Sequence, residues 1–190
     1  KQLAGKRVGV GPKAGTPGTY FPRMFEALGV KVTVNYGQAA DMASQLADGL
    51  IDCFPFAAGL PISAYSELEA TNEVTFFSFT PEEIQQLKAK MPELSDSVIP
   101  AGTYRSLKEA QPTVGLFNFA IIHKDLPEDL AYAIVKAVHE NHAEMVKAHA
   151  AAKETVPENV RRNGFLPFHP GAARYYREVG IDIPAKLAGG

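Results

Sequence analysis

Cysteine is almost absent from this chain. Cys53 is the only one in 190 residues, which excludes an internal disulfide and leaves the redox compartment open. No sign of charge dominates either. Nineteen Lys and Arg against 21 Asp and Glu give a formal net charge of −2, which points neither to nucleic acid nor to an anionic membrane surface. No apolar run approaches the roughly 20 residues of a membrane-spanning helix, and no secretory leader is read at the start. Internal repeats and low-complexity tracts are missing. The chain begins at Lys1 without Met and enters a strand within a few residues, as a processed or truncated start would.

The composition that remains is ordinary for a globular protein, with 46% hydrophobic and 21% charged residues. The length suits one domain or two small ones with a real core. Apolar patterning predicts strands over 6–10, 30–36, 51–56 and 74–79, each followed by a helix. The first helix poses a choice. A start at Thr16-Pro17 leaves Pro22 in the helix interior, where it lacks an N–H and clashes with the preceding turn. A start at Gly18 or Thr19 puts Pro22 in the first turn, and that start is the one predicted. Thr80-Pro81-Glu82-Glu83 has the pattern of a capping box. The alternation β-α-β-α-β-α-β-α implies an α/β fold with a mostly parallel sheet and helices on both faces. Residues 95–103 read as irregular and 113–122 as a long apolar strand. A helix is predicted from Pro127 to about Ala150, with Leu130, Ala131, Ile134, Val135, Val138, Met145 and Val146 on its buried side. The tail reads as short helices broken by Pro157, Gly164, Pro167, Pro170 and Gly171.

The most informative stretch is Val8-Gly9-Val10-Gly11-Pro12-Lys13-Ala14-Gly15-Thr16-Pro17-Gly18-Thr19. A strand runs into a Gly/Pro/Thr loop that opens a helix. Glycines allow close backbone approach, and a helix start offers unpaired N–H groups and partial positive charge. The spacing G-x-G-x-x-x-G is one residue longer than the dinucleotide fingerprint, and no Gly-Lys-Ser/Thr follows. Two readings stay open at this point, an anion cradle and a simple βα corner. A second Gly-bearing loop, around Ala57, Ala58 and Gly59, falls at the same carboxyl edge of the expected sheet, where ligands of such folds bind.

Other reactive residues are weaker candidates. His139 and His142 flank Glu140 at i,i+3, not the i,i+4 spacing of a helical zinc motif. His149 adds a third imidazole, but a solvated or half-buried helix face accounts for these residues better than a metal. Cys53 lies in an apolar strand, as an inert buried thiol would. Asp52 reads as a strand-edge residue. Phe54, Phe56, Phe76, Phe77 and Phe79 read as core. Lys13, Arg23 and Arg105 are cations able to neutralise a carboxylate and are otherwise solvated. No Ser sits in a nucleophile elbow, and carboxylates are not paired in a loop. No catalytic set emerges, which favours binding over catalysis. An α/β enzyme acting on a phosphorylated or carboxylated metabolite is the alternative, and an interaction module without ligand is a third.

Six stretches together resemble the TAXI family, the TRAP-associated extracytoplasmic solute-binding proteins. They are Leu3-Ala4-Gly5-Lys6-Arg7-Val8-Gly9-Val10-Gly11-Pro12, Asp48-Gly49-Leu50-Ile51-Asp52, Ala58-Gly59-Leu60-Pro61 with Glu67-Leu68, Ile99-Pro100-Ala101-Gly102-Thr103-Tyr104, Asp125-Leu126-Pro127-Glu128, and the run from His169 to Glu178. The resemblance implies a two-lobed, type II periplasmic-binding architecture that delivers small solutes, often dicarboxylates or acidic amino acids such as glutamate, to a membrane transporter. It departs from the family in the first loop, where Ala14-Gly15-Thr16-Pro17 stands in place of Gly-Ser-Gly-Thr. The α/β segment that precedes this region in the family is also absent.

On this resemblance, residues 1–112 form the second lobe with its anion-binding loop. Residues 113–190 form a hinge strand and helices of the first lobe, whose amino-terminal part is missing. The expected ligand-binding residues are Gly15, Thr16, Gly18, Thr19, Ala57, Ala58 and Gly59. The expected partners are a small anionic solute and TRAP-type transporter subunits in a periplasmic or extracytoplasmic setting, with no nucleic acid, metal or other cofactor. The bare apolar face of the segment beyond Gln111 would then require a dimer, or association with the missing amino-terminal segment.

Overall fold

A computed structural model of the chain describes residues 2–163 and 166–189. Lys1 and Gly164, named above, lie outside the described residues. The chain divides into two compact units, Lys1–Phe117 and Asn118–Gly190, and the whole is a mixed α/β protein with small sheets.

The first unit is built on two parallel strands, β1 (Arg7–Val10) and β2 (Thr33–Tyr36), paired Val8 to Val34 and Val10 to Tyr36. The predicted third strand shrinks to one parallel bridge between Cys53 and Val8. Two backbone bonds hold it: Gly9 N–H donates to Cys53 O (2.9 Å) and Asp52 N–H to Arg7 O (2.8 Å). Pro55, without an N–H, then ends the possibility of a longer ladder. Val8 and Val10 are fully buried and pack with Phe25 and Cys53.

Helix α1 (Thr16–Ala27) starts earlier than predicted and carries Pro22 inside it. Tight packing of its first turn decides this. Pro17 and Gly18 are both buried, and a Cβ on Gly18 would land on Pro12 O, within 2.8 Å of Pro12 C and 2.9 Å of Lys13 Cα. Gly29, at φ +68°, supplies the left-handed residue that ends the helix. Helices α2 (Ala39–Ala47) and α3 (Ser63–Thr71) follow. In α4 (Pro81–Lys90) the capping box is complete: Glu83 N–H donates to Thr80 Oγ1 and Thr80 N–H to Glu83 Oε2.

The predicted strand 74–79 forms no ladder. It runs beside β4 (Gln111–Gly115) and is tied there by side chains, Ser78 Oγ to Pro112 O (2.5 Å) and Gln111 Nε2 to Phe76 O (3.1 Å). A strand residue points its N–H and C=O to the same side, so the edge of β4 facing Ser78 is the one where Pro112 has no N–H to give. Residues read as irregular instead form β3 (Ser95–Ile99), antiparallel to β4 with Val98 opposite Pro112. The long strand expected to Ile122 therefore stops at Gly115.

The second unit is helical. The single long helix expected is two, α5 (Glu128–Glu140) and α6 (His142–Ala148). They break at Asn141, whose side chain donates to Ala137 O (2.8 Å) in competition with the helical backbone. Helix α7 (Pro170–Glu178) packs on α5 through small residues. A Cβ on Gly171 would land on Glu128 O and come within 2.8 Å of Tyr132 N. Pro170 and Gly171 thus start a helix and seat it; they do not break one. This packing buries Ala131, whereas Leu130, Ile134 and Val138, expected on the buried side, are exposed. No helix among the described residues is long and apolar enough to cross a membrane.

Candidate functional site

The carboxyl ends of β1, β2 and the Cys53 bridge point the same way, so the loops that follow them share one edge. The loop after β1 turns back on itself. Gly15 caps α1 in extended conformation (φ −88°, ψ 166°), and its own N–H donates to Pro12 O (2.8 Å). Thr19 N–H is already inside the helix, on Gly15 O (3.0 Å). Helix geometry leaves the N–H groups of Thr16 and Gly18 without an intrahelical acceptor, and Pro17 between them has none to offer. The expected donor at Thr19 is therefore displaced one turn forward, because the helix starts at Thr16. Thr16 and Thr19 are exposed on this turn, and Gly18 is buried beneath it.

Phe56 joins the first loop to the second. A Cβ on Gly11 would lie 2.8 Å from Pro17 Cγ and 2.9 Å from Phe56 Cε2, so the absence of a side chain at Gly11 lets the two loops close on each other. Ala57, Ala58 and Gly59 follow Phe56 directly and are exposed. The loop after β2 completes the edge: Gly37 N–H donates to Val10 O (3.3 Å), and Lys13 Nζ stands 5.9 Å from the Tyr36 ring centroid.

Several ionisable groups of the first unit are taken up in pairs elsewhere. Arg7 clasps Asp52 through its backbone N–H (2.8 Å) and its guanidinium (2.9 and 3.1 Å), and these bonds hold the Asp52 carboxyl far below the usual range. Burial, aided by the Asp52 charge and opposed by the Phe54 N–H, pushes the Cys53 thiol up to about 11, so it is not a ready nucleophile. Arg23 pairs with Glu93 (3.1 Å). Arg105 serves Glu69: its backbone N–H donates to Glu69 Oε1 (2.7 Å) and its guanidinium to Glu69 O. A surface pocket of about 360 Å³ lined by Arg23, Glu26, Ala27, Lys90 and Met91 lies toward the carboxyl end of α1, away from the loops that open it.

The histidines of the second unit have local structural roles. His139 stacks on Tyr175 (5.5 Å between centroids, 2° between planes), and burial lowers its pKa. A His142 ring nitrogen meets Ala152 O (2.8 Å), and His149 Nδ1 accepts from Ala151 N–H (3.1 Å). Among the described residues no group of three His, Cys, Asp or Glu side chains is placed to hold a metal.

Two residues that shape this junction were not singled out for the site from sequence: Pro17 and Phe56. Phe56 sits in an apolar run that reads as core.

An α/β unit with glycine-bearing loops at the carboxyl ends of parallel strands belongs to a class of folds that bind ligands at that edge. The sequence agrees: the chain belongs to the NMT1-like family, whose model matches residues 1–180. That family is one of binding proteins.

Proposed function

We propose that this protein is an extracytoplasmic solute receptor of a TRAP-type transport system. It captures a small anionic solute, a dicarboxylate or an acidic amino acid, by lobe closure. The observation that carries this reading is the junction of the two loops at Gly11, Pro17 and Phe56. Phe56, directly before the exposed residues 57–59, and Pro17 of the first turn of α1 both meet at Gly11. The N–H of Thr16 and the hydroxyls of Thr16 and Thr19 would receive one carboxylate, favoured by the positive end of the helix. Residues Ala57, Ala58 and Gly59 would close over the solute with backbone groups. Membership of a binding-protein family supports capture over turnover.

Titration calorimetry of the purified chain with L-glutamate, succinate and inorganic phosphate tests the proposal. Binding of a carboxylate without its consumption is expected. Conversion of any of these compounds, or binding of none, would overturn it. Thr16→Val should weaken binding without altering the fold.

A further inference from the structure

Two tyrosines outside the 57–59 loop hold its two ends. On the near side, Tyr65 Oη donates to Phe54 O (2.8 Å). On the far side, Ile62 N–H donates to Tyr104 Oη (2.8 Å) in a buried contact. Both rings belong to one aromatic cluster. Tyr104 stacks on Phe76 (4.6 Å, 9°), and Tyr65 meets Tyr104 (5.7 Å, 65°) and Phe54 (5.3 Å, 87°) edge on. Tyr104 is only 2% exposed. The backbone after it is fixed in turn by the buried Glu69 carboxylate, which accepts from Arg105 N–H (2.7 Å), Ser106 N–H (3.0 Å) and Ser106 Oγ (2.8 Å).

Phenylalanine at either position would fill nearly the same volume and keep the ring contacts. A buried hydroxyl is costly unless it is bonded, so what distinguishes tyrosine here is the bond each makes to an end of the loop. Between those anchors Ala57, Ala58 and Gly59 remain open to solvent. A loop tied at both ends has fewer conformations to lose when solute arrives, which lowers the entropic cost of binding.

We infer that Tyr65 and Tyr104 are positioning residues for solute binding, their hydroxyls holding the 57–59 loop in the conformation that receives solute. This rests on the reading of that loop as a ligand loop, and neither tyrosine is required to touch solute.

The test uses Tyr65→Phe, Tyr104→Phe and the double variant in the full chain. Backbone ¹⁵N order parameters at Ala57, Ala58 and Gly59 read the loop directly. Dissociation rates of L-glutamate and succinate read its consequence, and circular dichroism reports folding. In the double variant the loop order parameters should fall from about 0.85 to below about 0.6. Solute should leave about tenfold faster or more, with little change in association rate. A wild-type loop that is already mobile, or unchanged loop order in a folded double variant, would overturn the inference. If the double variant does not fold, the single variants carry the same comparison. If wild-type protein binds neither probe, the receptor reading fails, while the loop order alone still decides whether the hydroxyls act as anchors.

Discussion

Replacing Gly18 with alanine sets two physical effects of opposite sign against each other. By helix propensity alone, alanine should stabilise a helical position by up to about 1 kcal/mol over glycine, and less in the first turn, where Gly18 lies. The geometry opposes this. The new methyl would land on Pro12 O and within 2.8 Å of Pro12 C and 2.9 Å of Lys13 Cα. All three atoms are backbone, so no side chain can rotate away. Overpacking of this kind costs about 1–3 kcal/mol. Displacing the loop also strains the bond from Gly15 N–H to Pro12 O, worth about 1 kcal/mol. The net expectation is a loss of about 1–3 kcal/mol, read by urea denaturation with an unchanged m value. Gly29→Ala is the control. It meets nothing within 4 Å but sits at φ +68°, so its cost is backbone strain of about 1–2 kcal/mol. A Gly18→Ala protein more stable than wild type would refute the packing argument, and with it the reason given for the early start of α1.

Gly171→Ala should destabilise the second unit by about 1–3 kcal/mol, because its methyl would meet Glu128 O and Tyr132 N across the crossing of α5 and α7; amide exchange in α7 would show it first. Burial alone would raise the Glu69 pKa, but the bonds from Arg105 and Ser106 outweigh it and hold the carboxylate below its ordinary 4.5. The stability it contributes is therefore complete above that value and lost as pH falls below it, and acid titration of Glu69→Gln should lack this component of the loss. The Cys53 thiol, buried and raised to about 11, should resist iodoacetamide at pH 8 until urea unfolds the first unit; rapid alkylation of folded protein would contradict its placement. Ile121 is 84% exposed, and Leu130 and Ile134 are 49% and 43% exposed, so the purified chain should self-associate, and Ile121→Lys with Ile134→Lys should shift sedimentation toward monomer.

Local signals were the legible part of the fold. The capping box at Thr80 and Glu83 needs only four adjacent residues, and it forms as read. The helix end at Gly29 is equally local: its carbonyls require a left-handed residue, and glycine supplies it. The strands were harder because pairing depends on residues far away in sequence. Residues 74–79 read as an apolar strand, but the edge of β4 they face, more than thirty residues on, lacks the Pro112 N–H, and side chains tie them to it instead. Residues 95–99 look irregular alone and become a strand only because 111–115 lies opposite. Pro22 shows the same limit within a helix. The rule against interior proline is sound, yet the burial of Pro17 and Gly18 against 11–13 outweighs it.

The candidate site divides along the same line. Glycines at 11, 15 and 18 could be read from sequence as permitting close approach, but not what approaches. Gly15 accepts the role of helix cap. Gly11 admits Phe56, and Gly18 admits the backbone of Pro12. Two of the three glycines therefore join pieces of protein to each other, and the surface offered to solute is the turn they leave at Thr16 and Thr19. Tyr65 and Tyr104 lie outside both loops in sequence, and only the folded chain brings their hydroxyls to Phe54 and Ile62. A backbone that presents N–H groups to a ligand has few side chains of its own to fix it. Its geometry must then come from neighbours such as these, which no motif in the loop itself records.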